Sequence, residues 1–441
     1  MEDIVSLCKR RGFIFPGSDI YGGMAGLYDF GPYGVELLNN LKQNWWRHNI
    51  QQRPDYVGLD SAMFKNPEVW KASGHVDSFS DPMAECKECH TRIRVDKELE
   101  KLGVFADEKM TEEEIGKLFD ENKAKIKCPK CGKQNWTAPK KFNLLVKSNL
   151  GDFTEQNTEP TYLPGEACQG IYLNFKNVVD TCRVKIPFGI GQIGKAFRNE
   201  ISPRNFLFRT REFEQADTQY FVRPHENKEP YERIKQEQWD WLLSLGIKEE
   251  NLKWHQHENL VFYAKDAWDI EYNYPGNGYD ELMGIHDRSD YDLSQHMKFS
   301  GTDLEYRDPM TGEKYIPWIL ETSMGLGRLF LAVLCDAYEQ NEERTVLHLN
   351  PELAPVKYAV FPLLKNKPEL VAKAKEVFEM LSQRCNCEFD DNGNIGKRYR
   401  RQDEIGTPKC VTIDFDTLEN NTVTVRDRDT AEQTRVKIEE L

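Results

Sequence analysis

AFRNEISPRNFLFRTREFEQADTQYFV, residues 196–222, decides how the rest of this chain is read. Its two ends alternate as strands do. Residues 196–200 place Arg198 and Glu200 on one face, and residues 213–221 place Phe213, Gln215, Asp217, Gln219 and Phe221 on one face. Between them, residues 201–212 carry Pro203, Arg204, Arg209 and Arg211. The pattern predicts an antiparallel hairpin whose connection is too long and too basic to be only a turn. Arginines fixed on strands and on a folded-over loop suit a planar, multiply charged group such as a triphosphate. Glu200 can orient Arg198 or meet an amine. The competing reading is a solvated hairpin with ordinary surface charge.

Outside this stretch, 441 residues suggest two or three domains, and 39% apolar with 11% aromatic residues is enough for packed cores. The formal charge of -14 and a pI near 5.3 exclude a uniformly basic nucleic-acid binder. RNA would have to be held by local basic patches. No apolar run approaches the ~18–20 residues that span a membrane. The start, MEDIVSLCKRRGF, has no apolar leader, so a cytoplasmic protein without a membrane partner is expected. Eleven cysteines in such a chain point to metal or redox chemistry rather than a disulfide framework.

Residues 1–33 are rich in Gly and Tyr and form a tight, irregular segment suited to cover by another chain. Residues 34–48 predict an amphipathic helix through Val35, Leu38, Leu41 and Trp45, followed by a strand at 56–59. Cys86-Lys-Glu-Cys89 and Cys128-Pro-Lys-Cys131 have the spacing of a tetrahedral zinc site. Four thiolates close such a site, so its zinc is structural and His90 is not needed. Four reduced, unliganded thiols are the alternative. Residues 107–123 predict a helical excursion between the two pairs. A charged helix is expected at 226–245, a strand at 267–274, and a turn before Glu281, Leu282, His286 and Arg288. His286 reads as a packed histidine. Residues 316–334 predict a strand running through Gly325-Leu326-Gly327 into an apolar helix, with Arg328 at its start. From about residue 350, strands at 356–363, 411–415 and 422–426, a helix at 367–384 and a helix-like end predict a separate α/β domain. Its run Lys397-Arg398-Tyr399-Arg400-Arg401 can hold phosphates and stack a base, or be a solvated loop.

FRNE at 197–200 and FRTREFEQAD at 208–217 resemble motif 2 of class II aminoacyl-tRNA synthetases, and the flanking sequence resembles the dimeric glycyl-tRNA synthetase family. Residues 34–59 resemble motif 1, the dimer element. LDSAMFKNPEVWKASGHVDSFSDPM at 59–83 and YLPGEACQGIYLNF at 162–175 resemble family segments, and GLGR at 325–328 resembles motif 3. The resemblance implies an α+β fold. An antiparallel-sheet catalytic domain takes residues 1–82 and 140–345, a zinc-knuckle insertion residues 83–139, and an α/β anticodon-binding domain residues 350–441. It implies a homodimer using glycine, ATP with Mg2+, and tRNA(Gly).

The resemblance also assigns residues. Arg198, Glu200 and Arg328 are the catalytic set. ATP is met by Arg198, Asn199, Glu200, Phe208, Arg209, Thr210, Arg211, Glu212 and Phe213, by Glu281 and Leu282, and by Gly325, Leu326, Gly327 and Arg328. Glycine is met by Arg94, Glu166, Arg288, Glu321, Ser323 and Gly325, and by Phe213, Glu214, Gln215, Ala216 and Asp217. Residues 397–401 meet tRNA. Two segments depart from the family: Pro-Gly-Glu-Ala-Cys-Gln-Gly stands where it has Arg-Pro-Glu-Thr-Ala-Gln-Gly, and Glu-Thr-Ser-Met where it has Glu-Pro-Ser-Ala. The first removes an arginine next to Glu166. The second places Met324 where it would crowd a pocket, which suits a small substrate. Another class IIa synthetase, for an alanine-like, seryl or prolyl substrate, shares the ATP chemistry. A catalytically inactive, nucleic-acid-binding relative would be expected to lack Arg198 or Arg328. A plain zinc-containing RNA-binding protein leaves the ATP residues unexplained.

Overall fold

The computed structural model describes all residues except 107–109, 151–160, 202, 204, 258–259 and 261–263. Arg204 and the start of the helical excursion expected at 107–123 therefore lie outside the described residues. The chain forms two compact units. One comprises Met1–Val57, His225–Asp287 and Leu320–Leu441, the other Gly58–Pro224 and Arg288–Ile319.

In the second unit the hairpin is present. Strand Phe188–Phe197 pairs antiparallel with Glu212–Val222, in register from Phe221↔Phe188 to Glu212↔Phe197. The first strand does not run on to Glu200 as alternation predicts. The Arg198 N–H still donates to the Arg211 carbonyl at 2.9 Å, but the backbone then leaves its partner, and the Asn199 N–H donates to the Leu144 carbonyl at 2.8 Å. One face of Glu212–Val222 packs on helix Gln169–Cys182. There Gln219 Oε1 accepts from the Tyr172 hydroxyl at 2.8 Å, and the Phe175 ring lies 4.6 Å from Phe221. A small body is inserted before the hairpin. Strands Ser80–Glu85, Arg92–Arg94 and Lys140–Asn143 form its sheet, and Glu112–Asn122 is its helix, capped by a Thr111–Glu114 box. Its core joins Ile93, Val95, Leu99, Ile115, Phe119 and Trp136.

In the first unit, helix Pro32–Trp46 buries Leu37, Leu38, Leu41 and Trp45, while Val35 stays exposed. Leu37 thus takes the first-turn core position expected of Val35. Helix Lys228–Ser244 crosses near its end, where Trp241 Nε1 donates to Asn44 Oδ1 at 2.9 Å. Strands Leu252–Gln256, Asp266–Tyr274, Gly278–Ser289 and Trp318–Gly325 are successive neighbours, and the last leads directly into the apolar helix Leu326–Ala337.

The C-terminal part of that unit is a five-stranded sheet, ordered Cys387–Phe389, Tyr358–Pro362, Lys409–Ile413, Thr422–Asp427, Gln433–Lys437. The first three strands are parallel and the rest antiparallel. Period-2 alternation divides its apolar residues between two faces. Val360, Val411, Ile413 and Val423 meet Leu370, Ala374, Val377 and Leu381 of helix Pro368–Ser382. Ala359, Phe361 and Cys410 meet Ile395 and Tyr399 of helix Ile395–Ile405. The helix-like ending is instead the edge strand Gln433–Lys437 and a single 3-10 turn. That strand is polar and mostly exposed, so no apolar alternation marks it.

Candidate active site

Arg198 stands just past the hairpin's first strand. Its Nε donates to the Gly165 carbonyl at 3.2 Å, and its guanidinium carbon lies 5.2 Å from the Phe79 ring and 5.4 Å from that of Phe213. Two aromatic faces and one carbonyl brace the cation without neutralising it. Glu200 does not orient Arg198. Its buried carboxylate faces Arg209 at 3.7 Å, while its carbonyl accepts from Arg211 Nε at 2.9 Å. Beside them Asp81 is pushed up to about 6, by burial and by Asp96 and Glu200, against the pull of Arg94 and Arg209. Arg94 is held by Asp96 at 2.5 Å and Asp81 at 3.0 Å, an ion-paired position by this loop.

Deeper in the same unit lies Glu166. Its Oε1 accepts from Gln169 Nε2 at 2.7 Å and lies 3.5 Å from His75 Nε2 and 3.9 Å from Arg288 Nη2. Burial alone would raise its pKa, but His75, Arg288 and Gln169 together hold the carboxyl well below its ordinary range. His75 is itself oriented by Ser73 Oγ, 2.8 Å from Nδ1. Arg288 is fully buried, with Nε and Nη2 donating to Asp292 at 2.8 and 3.0 Å. Gln169 also reaches Asp292 at 3.2 Å and His296 at 2.9 Å. Gln215 Oε1 accepts from the Ala167 N–H at 3.0 Å, which ties the strand to this segment. Alternation then separates the expected run. Gln215 and Asp217 share the face that packs on the helix, while Glu214 and Ala216 take the opposite face, so the four do not line one pocket.

In the other unit, Arg328 Nη1 donates to both the Glu281 side chain at 2.9 Å and the Glu281 carbonyl at 2.8 Å. Gly325 caps the helix that carries Arg328 with an extended φ of -75°. An added Cβ there would meet only Arg328 carbons, at 3.9 and 4.0 Å, so the glycine leaves open space rather than relieving a left-handed turn. Leu282 and Leu326 are core residues by side chain, and only their backbones remain for a nucleotide. On strand Trp318–Gly325, Glu321 and Ser323 share a face, and Met324 is buried on the other. Met324 therefore does not crowd the side on which Glu321 and Ser323 lie.

Glu321 has partners that sequence spacing does not reveal. Its Oε2 accepts from His286 Nδ1 at 3.2 Å. On the far side of the ring, His286 Nε2 faces Asp269 Oδ1 at 3.7 Å, and Asp269 Oδ2 meets His257 Nε2 at 2.8 Å. Burial would lower the His286 pKa, but the two carboxylates raise it to about 9, and the two imidazoles draw Asp269 down to about 2 against its own burial. His286 is thus a charged bridge rather than a neutral packed ring. Gly284 lies beneath it: an added Cβ would come 3.0 Å from Nε2 and 3.1 Å from Cε1.

In the insertion, Sγ atoms of Cys86 and Cys131 are 3.6 Å apart, those of Cys89 and Cys128 3.5 Å, and all four lie within 4.8 Å of one another. A zinc–thiolate tetrahedron has edges of about 3.8 Å. Each pair sits on a knuckle, with His90 N–H donating to Cys86 O and Gly132 N–H to Cys128 O, both at 2.9 Å. The left-handed φ of 58° at His90 and 71° at Gly132 completes these turns. The His90 ring turns away to Glu85.

The basic C-terminal run is helix Ile395–Ile405 rather than a loop. Arg398 is buried, donating to the carbonyls of Pro362, Asp391 and Gly393. The Tyr399 hydroxyl meets Thr412 Oγ1 at 2.6 Å and its ring packs against Phe361, so it is not free to stack on a base. Arg401 is paired with Asp390. Lys397 and Arg400 remain exposed.

Residues 152–338 match the tRNA synthetase class II core domain (G, H, P, S and T), and residues 357–441 match the anticodon binding domain. Glycine--tRNA ligases of Clostridium acetobutylicum and Clostridium tetani are each 51% identical to the chain over 454 residues, covering 100% of it and 97% and 96% of themselves. That of Caldanaerobacter subterraneus is 51% identical over 452 residues, with 100% and 96% covered. The chain belongs to the glycine--tRNA ligase family. In this family frame, the catalytic core carries the hairpin and the Leu326–Ala337 helix, and the five-stranded sheet is the anticodon-binding domain. Sequence reading passed over His75, Gln169, Asp269, His257 and Asp292. His75, Asp269 and His257 meet partners far along the chain, whereas Gln169 and Asp292 stand three and four residues from Glu166 and Arg288. The missing arginine before Glu166 was the one signal that other groups must meet that carboxylate.

Proposed function

We propose that the chain attaches glycine to tRNA(Gly) at the expense of ATP, through glycyl-adenylate. Full-length similarity to glycine--tRNA ligases carries this reading. The glycine carboxylate attacks the α-phosphorus, and pyrophosphate leaves. A terminal ribose hydroxyl of tRNA then attacks the acyl carbon, and AMP leaves. No side-chain nucleophile is needed, so catalysis rests on positioning and on charge placed in advance.

Arg198, braced but not neutralised, takes the α-phosphate, with Phe213 beside the adenine. Arg328 and the loop arginines take the outer phosphates. Mg2+ bound with ATP neutralises phosphate charge, and Glu281 is the carboxylate offered to it. A bound phosphate would take the place of Glu281 at Arg328, and Glu281 would then be the residue to hold the metal. Glu166, partly buried, and Glu321, buried, are each carboxylates suited to an ammonium, and glycine is favoured by excluding larger side chains. Beside Glu166, Arg288 supplies the positive charge and His75 a ring nitrogen, in the absence of the family's arginine. The four cysteines hold a structural zinc. Lys397 and Arg400 meet tRNA phosphates. The protein works as a cytoplasmic homodimer, to which the exposed Ile20 and Tyr21 fit as covered residues. No helix among the described residues is long and apolar enough to cross a membrane.

Amino-acid-dependent exchange of labelled pyrophosphate into ATP, run with glycine, alanine, serine and proline, tests this reading. Exchange with glycine alone is expected. Exchange with another of the four would correct the specificity. No exchange with any would overturn the activity.

A further inference from the structure

Glu321 belongs to a file of alternating acids and imidazoles: Glu321, His286, Asp269, His257. It begins at a buried carboxylate and ends at a half-exposed ring. Three of the four sit on neighbouring strands, with His257 just beyond a fourth strand. Ala267 pairs with His286 and Asp269 with Gly284, so His286 can reach Asp269 only by lying diagonally across Gly284. The absent side chain at Gly284 makes this possible, since a Cβ would stand 3.0–3.1 Å from the ring.

We propose that His286 and Asp269 are positioning residues that fix the Glu321 carboxylate for the ammonium of the amino-acid substrate. This rests on the role given above to Glu321. His286 Nδ1–H holds one carboxylate oxygen of Glu321 and so sets the plane and direction of the group. Asp269 keeps the ring charged and oriented, as a carboxylate behind an imidazole does in other sites. His257 in turn orients Asp269 through its 2.8 Å contact. Among the described residues, the titratable groups around the ring are Asp269 from one neighbouring strand, Glu321 from another, and His257 beyond the third. His255 stands beside His257, and Glu281 acts on His257 from the strand of His286 itself. The raised pKa of His286 agrees with this arrangement.

Glycine-dependent pyrophosphate exchange reads the effect. In His286→Leu, KM for glycine should rise roughly ten- to hundred-fold, as expected for loss of a hydrogen bond to a charged group, with kcat and KM for ATP nearly unchanged. His286→Asn, whose amide can occupy the Nδ1 position, should recover most of that loss. Gly284→Ala, which removes no titratable group and displaces the His286 ring, should reproduce the rise. Wild-type kcat/KM for glycine should fall above about pH 9 more steeply than that of His286→Asn. The ammonium of glycine titrates equally in both, so the difference belongs to the ring.

An unchanged KM for glycine in both folded His286→Leu and Gly284→Ala would overturn the proposal. It would also fall if wild type bound a divalent ion beyond that of the cysteine site and chelation reproduced the variants' KM. Absence of exchange in wild type would instead overturn the underlying reading of the site.

Discussion

Arg398 and Lys397 are neighbours in the chain and opposites in environment. Three backbone carbonyls enclose the Arg398 guanidinium, whereas Lys397 is exposed. Removing Arg398 would leave those carbonyls unpaired, so Arg398→Ala should lose about 2–4 kcal/mol of stability in thermal or urea unfolding. Lys397→Ala and Arg400→Ala should leave the unfolding midpoint in place and weaken tRNA binding, with a shallower salt dependence. Arg198 is the reverse case, a cation held by aromatic faces with no carboxylate among the described residues. Arg198→Ala should abolish adenylate formation while circular dichroism and the unfolding midpoint stay near wild type. Wild-type exchange in that variant would remove Arg198 from the reaction. His286 ties protonation to stability: its pKa rises from 6.5 to about 9 on folding. Its stabilising contribution is therefore complete below pH 6.5 and lost as pH rises to about 9. The difference in thermal midpoint between wild type and His286→Asn should shrink over that window.

At the scale of elements, the cysteine insertion depends most on something other than its own packing. Its apolar core is small, and both knuckles converge on four sulfurs that repel one another when ionised. On the proposal that these thiolates hold zinc, a chelator, or Cys128→Ser, should expose residues 83–139 to limited proteolysis while the hairpin remains protected. The hairpin itself was legible because Phe213, Gln219 and Phe221 alternate strongly. The end of its first strand was not, because alternation in sequence continues after the pairing has stopped. Helix Ile395–Ile405 was hidden for another reason. Arg398, Gln402 and Asp403 fill core-facing positions, so apolar residues do not recur at helical spacing. Met324 was misplaced because its strand is buried on both faces, and such a strand gives no sign of which face meets a ligand. The cysteine pairs and the GLGR turn were readable since each is local in the chain. The His286 relay was not, since it joins four separate segments.

At the scale of the molecule, one compact unit is assembled from three stretches of chain, with residues 58–224 and 288–319 set aside for the other. Arg10 and Arg11 are joined to Glu404, which follows them by 394 and 393 residues. Asn40 reaches the carbonyls of Leu353 and Ala354 at 3.1 and 3.0 Å. Glu404→Gln should accordingly lower the unfolding midpoint as Arg10→Gln with Arg11→Gln does, and the combination should add little to either. The same sequence separation has a meaning in time. A ribosome adds about 5–20 residues each second, so Arg10 waits roughly 20–80 s for Glu404 to be made. Until helix Leu326–Ala337 is made, helix Pro32–Trp46, with its Leu37, Leu41 and Trp45, lacks an element it packs against, although the hairpin of the second unit has already emerged. The start of the chain is thus synthesised first and completed last, and it is on the nascent polypeptide that these side chains most need shelter from aggregation.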